Sequence, residues 1–186
     1  MSLRPTTCKE AIYKWEHATG ETASKAKVIE LQFQWPPIEK MDATLSTLVA
    51  CETLSLSSNM IEKINGIAGL KNLKILSLGK NYIKSLSGIE PLGGTLEELW
   101  ISYNPIDKLK GIEAMRKLRV FHIAHAQIKE WAEFNRLQEV QMLRELIFTG
   151  NPLCEEQLCE IIWRNQVMHR LQQLTILDGI PIEREK

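Results

Sequence analysis

Apolar and polar residues alternate in a short frame that recurs five times along the middle of the chain. The copies read LSLSSNMIEKI (54–64), LSLGKNYIKSL (76–86), LWISYNPIDKL (99–109), FHIAHAQIKEW (121–131) and LIFTGNPLCEE (146–156). Their common pattern is apolar-x-apolar-x-x-Asn-x-apolar. A two-residue period predicts a short strand at the head of each copy, with Leu54 and Leu56 facing a core and Ser55 and Ser57 facing out. The apolar residues beyond the Asn, such as Ile61 and Ile64, turn back toward the same core.

The leading apolar residues Leu54, Leu76, Leu99, Phe121 and Leu146 are separated by 22, 23, 22 and 25 residues. Repetition at that period is the mark of a leucine-rich-repeat solenoid, in which each unit buries its apolar side only against its neighbours. Counting 23 residues back reaches Leu31, in LQFQWPPI, a degenerate first copy with Pro36 at the Asn position. Counting 31 forward reaches Leu177, in LTILDGIPI, a terminal partial copy. The expected fold is α/β: a solenoid of about seven short parallel strands. The segments GIAGLKNL, GIEPLGGTL and GIEAMRKL close each turn as single helical turns on the convex side. The chain reads as one domain, 1–186, with a helical cap over 1–27, repeats over 28–154, and a C-terminal helix with the partial repeat over 155–186.

Solenoid ends expose core and need covering. Thr7 with Glu10 predicts a capping box opening a helix that runs to about Ala18 and stops at Gly20, with Ile12 and Trp15 over the first strand. Residues 155–172 predict one longer helix. Leu158, Ile161, Ile162, Met168 and Leu171 share a broad face of it, widened by Cys159, Trp163 and Val167. Trp131 holds the inward position of Ile64, Leu86 and Leu109, which makes it a core residue.

A buried Asn at the strand-to-loop corner can bond backbone groups that would otherwise be orphaned. Asn59, Asn81, Asn104 and Asn151 are expected to stack as a ladder, broken at Ala126. An unsatisfied buried backbone group costs roughly 1–3 kcal/mol. Ala126 therefore predicts a weak corner, and Ala126→Asn a higher melting temperature.

Strands lie about 4.8 Å apart, so equivalent outward positions form rows across the concave face. The middle row reads Gln32, Ser55, Ser77, Trp100, His122, Ile147. The strand-end row reads Trp35, Ser58, Lys80, Tyr103, His125, Gly150, and the row between them Gln34, Ser57, Gly79, Ser102, Ala124, Thr149. The preceding outward row adds Ile75 and Val120. Serines in the early copies thus give way to Trp100, Tyr103, His122, His125 and Ile147, with Val120 and Ile75 beside them. Packing does not require large aromatic residues there, and Trp and Tyr are typical interface anchors. This cluster is the candidate partner-binding face.

The 186 residues carry 23 basic and 23 acidic side chains, so the formal net charge is zero. That balance gives no broad drive toward nucleic acid or an acidic membrane. The opening MSLRPTTCKEAIYKW lacks the apolar core of a secretory signal, and no run approaches a spanning helix, which predicts a soluble intracellular protein. Of four cysteines, Cys51 falls at an inward position, and the five-residue separation of Cys154 and Cys159 matches no common metal or redox spacing. No metal or cofactor is expected. His122 and His125 lie three apart, a spacing that puts them on opposite strand faces unless the corner bends. With only Glu98 and Glu145 near them, they make a contact surface rather than a catalytic set.

Three stretches carry a closer resemblance: KEAIYKWEHATGE near the start, WPPIEKMDATLSTLVACETLSLSSNMIEKI, and TLEELWISYNPIDKLKGIEAM, with LDGIPI at the end. Together they resemble the leucine-rich-repeat light chains of axonemal outer-arm dynein, over essentially the whole chain. That resemblance implies a non-catalytic subunit of a ciliary or flagellar motor in the axonemal cytoskeleton. It implies binding to a dynein heavy chain at or near the microtubule-binding tip of the stalk, with modulation of track binding. It further implies a link to tubulin, for which Arg164, His169, Arg170, Arg184 and Lys186 are the candidate contacts. The expected partners include neither nucleic acid nor membrane, and the chain is expected to be a monomer outside its complex. Two other classes would use the same concave face: a scaffold that clamps a protein phosphatase, and an adaptor that holds an RNA-binding-domain protein.

Overall fold

The computed structural model describes residues 3–184. Strands β1 (Val28–Glu30), β2 (Thr53–Ser55), β3 (Ile75–Ser77), β4 (Glu98–Trp100), β5 (Val120–His122), β6 (Glu145–Ile147), β7 (Ile176–Leu177) and β8 (Ile180–Pro181) lie side by side in chain order. Pairing is parallel from β1 to β7 and antiparallel between β7 and β8. The eighth strand was not expected. Asp178 and Gly179, at φ 49° and 79°, turn the chain back in a two-residue hairpin, and Asp-Gly is the pair that such a turn favours.

The first repeat departs from the expected register. Ile29, not Leu31, pairs with Leu54. Leu31 takes the second inward slot, its N–H donating to Ser55 O at 2.8 Å, as Leu56 N–H donates to Ser77 O at 2.8 Å. Two extra residues in the Trp-Pro-Pro corner displace the backward count. They fit because Ile38 regains the frame: its N–H donates to Asn59 Oδ1 at 3.1 Å, as Ile61 N–H does to Asn81 Oδ1 at 3.0 Å.

The convex side is made of short 3-10 turns at Ala43–Thr47, Glu90–Leu92 and Ile112–Ala114, while residues 66–73 form plain turns. Gly66 shows why three of the convex returns begin with glycine, at 66, 88 and 111. Its φ is 72°, and a Cβ there would lie 2.0 Å from the Asp42 carbonyl oxygen. In the fifth repeat the return is longer, α2 (Trp131–Phe134) running into a 3-10 turn over Asn135–Glu139. The core is a continuous stack of leucine and isoleucine, from Ile29 and Leu31 to Leu174 and Leu177.

Each ladder Asn serves two repeats. Asn81 accepts from Ile61 N–H and donates to Leu56 O at 3.1 Å and Leu78 O at 3.0 Å. At the Ala126 gap the expected orphan does not arise. Ile106 N–H, which an Asn there would have received, donates to Asn104 O at 2.8 Å. The carbonyls on either side keep one partner each, Ile101 O from Asn104 Nδ2 and Ile123 O from Asn151 Nδ2.

At the N-terminus, α1 (Cys8–Thr19) has the Thr7–Glu10 capping box and ends at left-handed Gly20. It buries Cys8, Ala11 and Ile12, with Trp15 partly covered. The C-terminal cap differs from the single helix expected over 155–172. It is two helices, α3 (Pro152–Glu155) and α4 (Glu160–Arg170), broken at 156–159. The buried stripe of α4 is Trp163, Val167 and then Leu171, whereas Leu158 and Ile161 stay exposed. Trp163 decides this orientation. It packs with Trp131, Phe134 and Phe148, ring centroids 5.3–5.8 Å apart, and so plugs the open end of the core. Trp131 is only partly buried at the rim of this cluster, not a full core residue.

Candidate functional site

The observed register aligns Glu30, Ser55, Ser77, Trp100, His122 and Ile147 in one outward row. The row before it reads Val28, Thr53, Ile75, Glu98, Val120, Glu145, Ile176. Glu30 thus replaces Gln32 at the head of the middle row. Phe33 replaces Trp35 at the head of the corner row, and Gln32 replaces Gln34 between them. Ile75, Val120 and Ile147 are half-buried, while Trp100 and Tyr103 are 42% and 53% exposed.

A corner geometry repeats beneath these side chains. Phe33, Ser58, Lys80, Tyr103 and His125 have φ of 55°, 55°, 55°, 60° and 52°. Strand alternation would turn them inward; the left-handed φ swings them out to the concave rim while their N–H groups stay in the ladder. Tyr103 N–H, for example, donates to Ala124 O at 2.9 Å. The corner does bend, so His122 and His125 serve the same face.

The structure organises the aromatic residues into two stacks. The Trp100 and His122 rings lie 5.6 Å apart at 10°, and His122 Nε2 is 2.9 Å from Glu145 Oε1. Tyr103 and His125 lie 4.6 Å apart at 16°, with Lys80 Nζ 5.8 Å above the Tyr103 ring. The far side of His125 rests on Gly150, where a Cβ would come within 2.3 Å of Nδ1. Between the serine side and the aromatic side runs an open trough of about 340 Å³, bordered by Ser57, Gly79, Lys80, Trp100 and Tyr103. Histidine braces both rings on one side; on the other, Trp100 faces Ser77 and Tyr103 faces Lys80.

Sequence reasoning missed Phe33 and Val28, 75% and 54% exposed at the early end of the face. The alternation of VIELQ, with Ile29 and Leu31 inward, was the available signal. A second groove of about 1000 Å³ lies on the loop flank around Met60, Ile64 and Tyr82. Two lysines and two glutamates border it, Lys40, Lys63, Glu39 and Glu62, so it has no charge preference.

The candidate tubulin contacts sit at the C-terminal cap, and three of the arginines hold that cap together. Arg164 donates to the carbonyls of Leu177, Ile180 and Pro181. Arg184 donates to those of Met168, Leu171 and Leu174. The Arg170 guanidinium lies 3.9 Å from the Trp131 ring centre and bonds Asn135 and Gln166. His169 is exposed, and Lys186 lies outside the described residues.

The cysteines are free, and burial pushes the thiols of Cys8 and Cys51 up to about 11. Both are packing residues. Among the described residues, no group of three or more His, Cys, Asp or Glu side chains is placed to hold a metal ion, and no helix is long and apolar enough to cross a membrane.

An open parallel sheet with an Asn ladder, capped ends and an aromatic concave face defines a leucine-rich-repeat scaffold. The family described as Leucine Rich repeats (2 copies) matches residues 49–91. A leucine-rich-repeat protein of Leptospira interrogans aligns at a TM-score of 0.63 and 22% identity, over 80% of this chain and 36% of that one. The chain belongs to the dynein axonemal light chain 1 family. It is 57% identical to the Danio rerio member over 98% of this chain and 95% of that protein. It is 58% identical to the Ciona intestinalis member over 95% and 93%.

Proposed function

We propose that this chain is a non-catalytic light chain of an axonemal outer-arm dynein and works in the cilium or flagellum. It binds a heavy chain at or near the microtubule-binding tip of the stalk, and its presence there modulates the motor's hold on the track. The observation that carries this reading is the pair of braced stacks, Trp100 on His122 and Tyr103 on His125, which present exposed rings from a rigid sheet. Rigid, exposed Trp and Tyr side chains lose little entropy on binding and anchor interfaces. The names of the relatives supply the motor.

A tubulin contact is secondary in this reading. Arg164, Arg170 and Arg184 have most of their donors engaged within the cap. The test is affinity purification from ciliated cells with the parent chain and a Trp100→Ala/Tyr103→Ala variant. Interface anchors are worth about 2 kcal/mol or more each, so losing both should weaken heavy-chain affinity by about 1,000-fold and abolish recovery. Full recovery by a variant with an unchanged circular dichroism spectrum would overturn the concave-face assignment.

A further inference from the structure

We infer that the concave face takes a partner segment carrying a lysine or arginine, and that Glu98 is the residue that receives it. This rests on the concave face being the heavy-chain site. Glu98 stands in an otherwise apolar stretch of its row, between Ile75 and Val120 on the adjacent strands. It is half-buried, and among the described residues its carboxylate has no hydrogen bond or ion pair. The neighbouring carboxylates differ. Glu145, two strands on, is matched to His122, and Glu52 on the convex-side approach to β2 is paired with Lys74 at 3.8 Å. Glu98 is thus the central carboxylate of the face that has been left without a counter-ion.

Its surroundings fit a cationic side chain in particular. Trp100 follows two residues later on the same face of β4, and its ring is covered by His122 on one side only. The other side looks over Ser77, which is too small to cover it. A lysine or arginine reaching Glu98 would lay its stem along Ile75 and pass the free side of the indole, so that charge pairing and cation–π attraction act together. Beyond Trp100, on the corner side of the same face, Lys80 in the trough supplies the opposite charge. A partner segment that is basic at one end and apolar in the middle is therefore seated in one direction. Closure of the interface over Glu98 removes water from the pair, which strengthens it and makes its loss costly.

The experiment uses the full chain and a purified heavy-chain stalk segment that it binds, with the dissociation constant measured at about 50 and about 200 mM salt. Glu98→Gln keeps the side-chain shape and should weaken binding about 10-fold and flatten the salt dependence. Glu98→Lys should weaken it at least about 100-fold, since it sets like charges together. Thermal melting of Glu98→Gln should match the parent, because the Glu98 carboxylate has no hydrogen bond or ion pair to lose, and Glu98→Lys should stay folded at the assay temperature. Trp100→Ala/Tyr103→Ala serves as the reference for the face itself. Parent-like affinity and salt slope in Glu98→Gln, with binding lost in the aromatic variant, overturns the role of Glu98 and leaves the face assigned. Parent-like binding in all three variants overturns both.

Discussion

At the scale of single residues, the corner positions do most to make this face. Left-handed φ costs a residue with a Cβ about 1–2 kcal/mol, and Ser58, Lys80, Tyr103 and His125 all carry it next to the ladder. The neighbouring Asn offsets that cost. Asn81 holds one N–H of the preceding repeat and carbonyls of two repeats, none of which water reaches. Asn81→Ala strips all of them at once, and should lower the unfolding free energy by about 3 kcal/mol in urea titration with an unchanged slope. Ala126→Asn should change it by less than about 1 kcal/mol, since Ile106 N–H already has Asn104 O. A gain as large as the Asn81→Ala loss would show that this local bond does not satisfy the corner. The ladder was legible in the sequence because Asn recurs at a fixed place in the frame. The substitute bond at Ala126 was not, because it depends on the backbone path after Pro105 rather than on any side chain.

The elements show where a pattern read in sequence stops determining position. Parallel pairing from β2 to β6 follows directly from the repeated frame, and the aromatic residues fall into the rows that frame predicts. The ends have no frame to follow. The two extra corner residues shifted β1, and the apolar residues at 158–163 were compatible with several helix faces until Trp163 found its aromatic partners. The last sheet edge is closed by one side chain. Asp178 Oδ1 accepts from Phe148 N–H at 2.6 Å and Thr149 N–H at 3.0 Å, and Oδ2 accepts from Trp163 Nε1 at 3.3 Å. Asp178 therefore ties the hairpin, the sheet and α4 together. Asp178→Ala should cost about 2–4 kcal/mol, from two stripped amides and a residue less tolerant of positive φ. Amide exchange at Phe148 and Thr149 should speed up accordingly. Asp178→Asn, which keeps an acceptor and tolerates the conformation, should retain most of the protection.

Across the whole molecule, a solenoid has no central core on which every part depends; each repeat leans on the next. Its stability is therefore set locally, and its ends are where opening starts. The Trp131, Phe134, Phe148 and Trp163 cluster is the largest concentration of aromatic packing in the fold, and it lies at the C-terminal end. Trp163 is 2% exposed, and Trp163→Ala would leave a cavity at that end costing about 3–5 kcal/mol. If contacts act between neighbours, that loss should stay near its source. Hydrogen exchange should speed at β6, β7 and α4, while the amides of Leu31 and Leu56 near β1 and β2 keep parental rates. Trp163→Phe, which refills most of the volume, should restore the protection of β6. Equal acceleration at both ends would mean that the repeats unfold as one unit. The distinction bears on the binding face, because Trp100 lies on the fourth of eight strands and Tyr103 on the corner that follows it. Under neighbour-limited coupling the C-terminal cap can loosen while the anchoring rings stay in place, so Trp163→Ala should retain the heavy-chain affinity that Trp100→Ala/Tyr103→Ala loses.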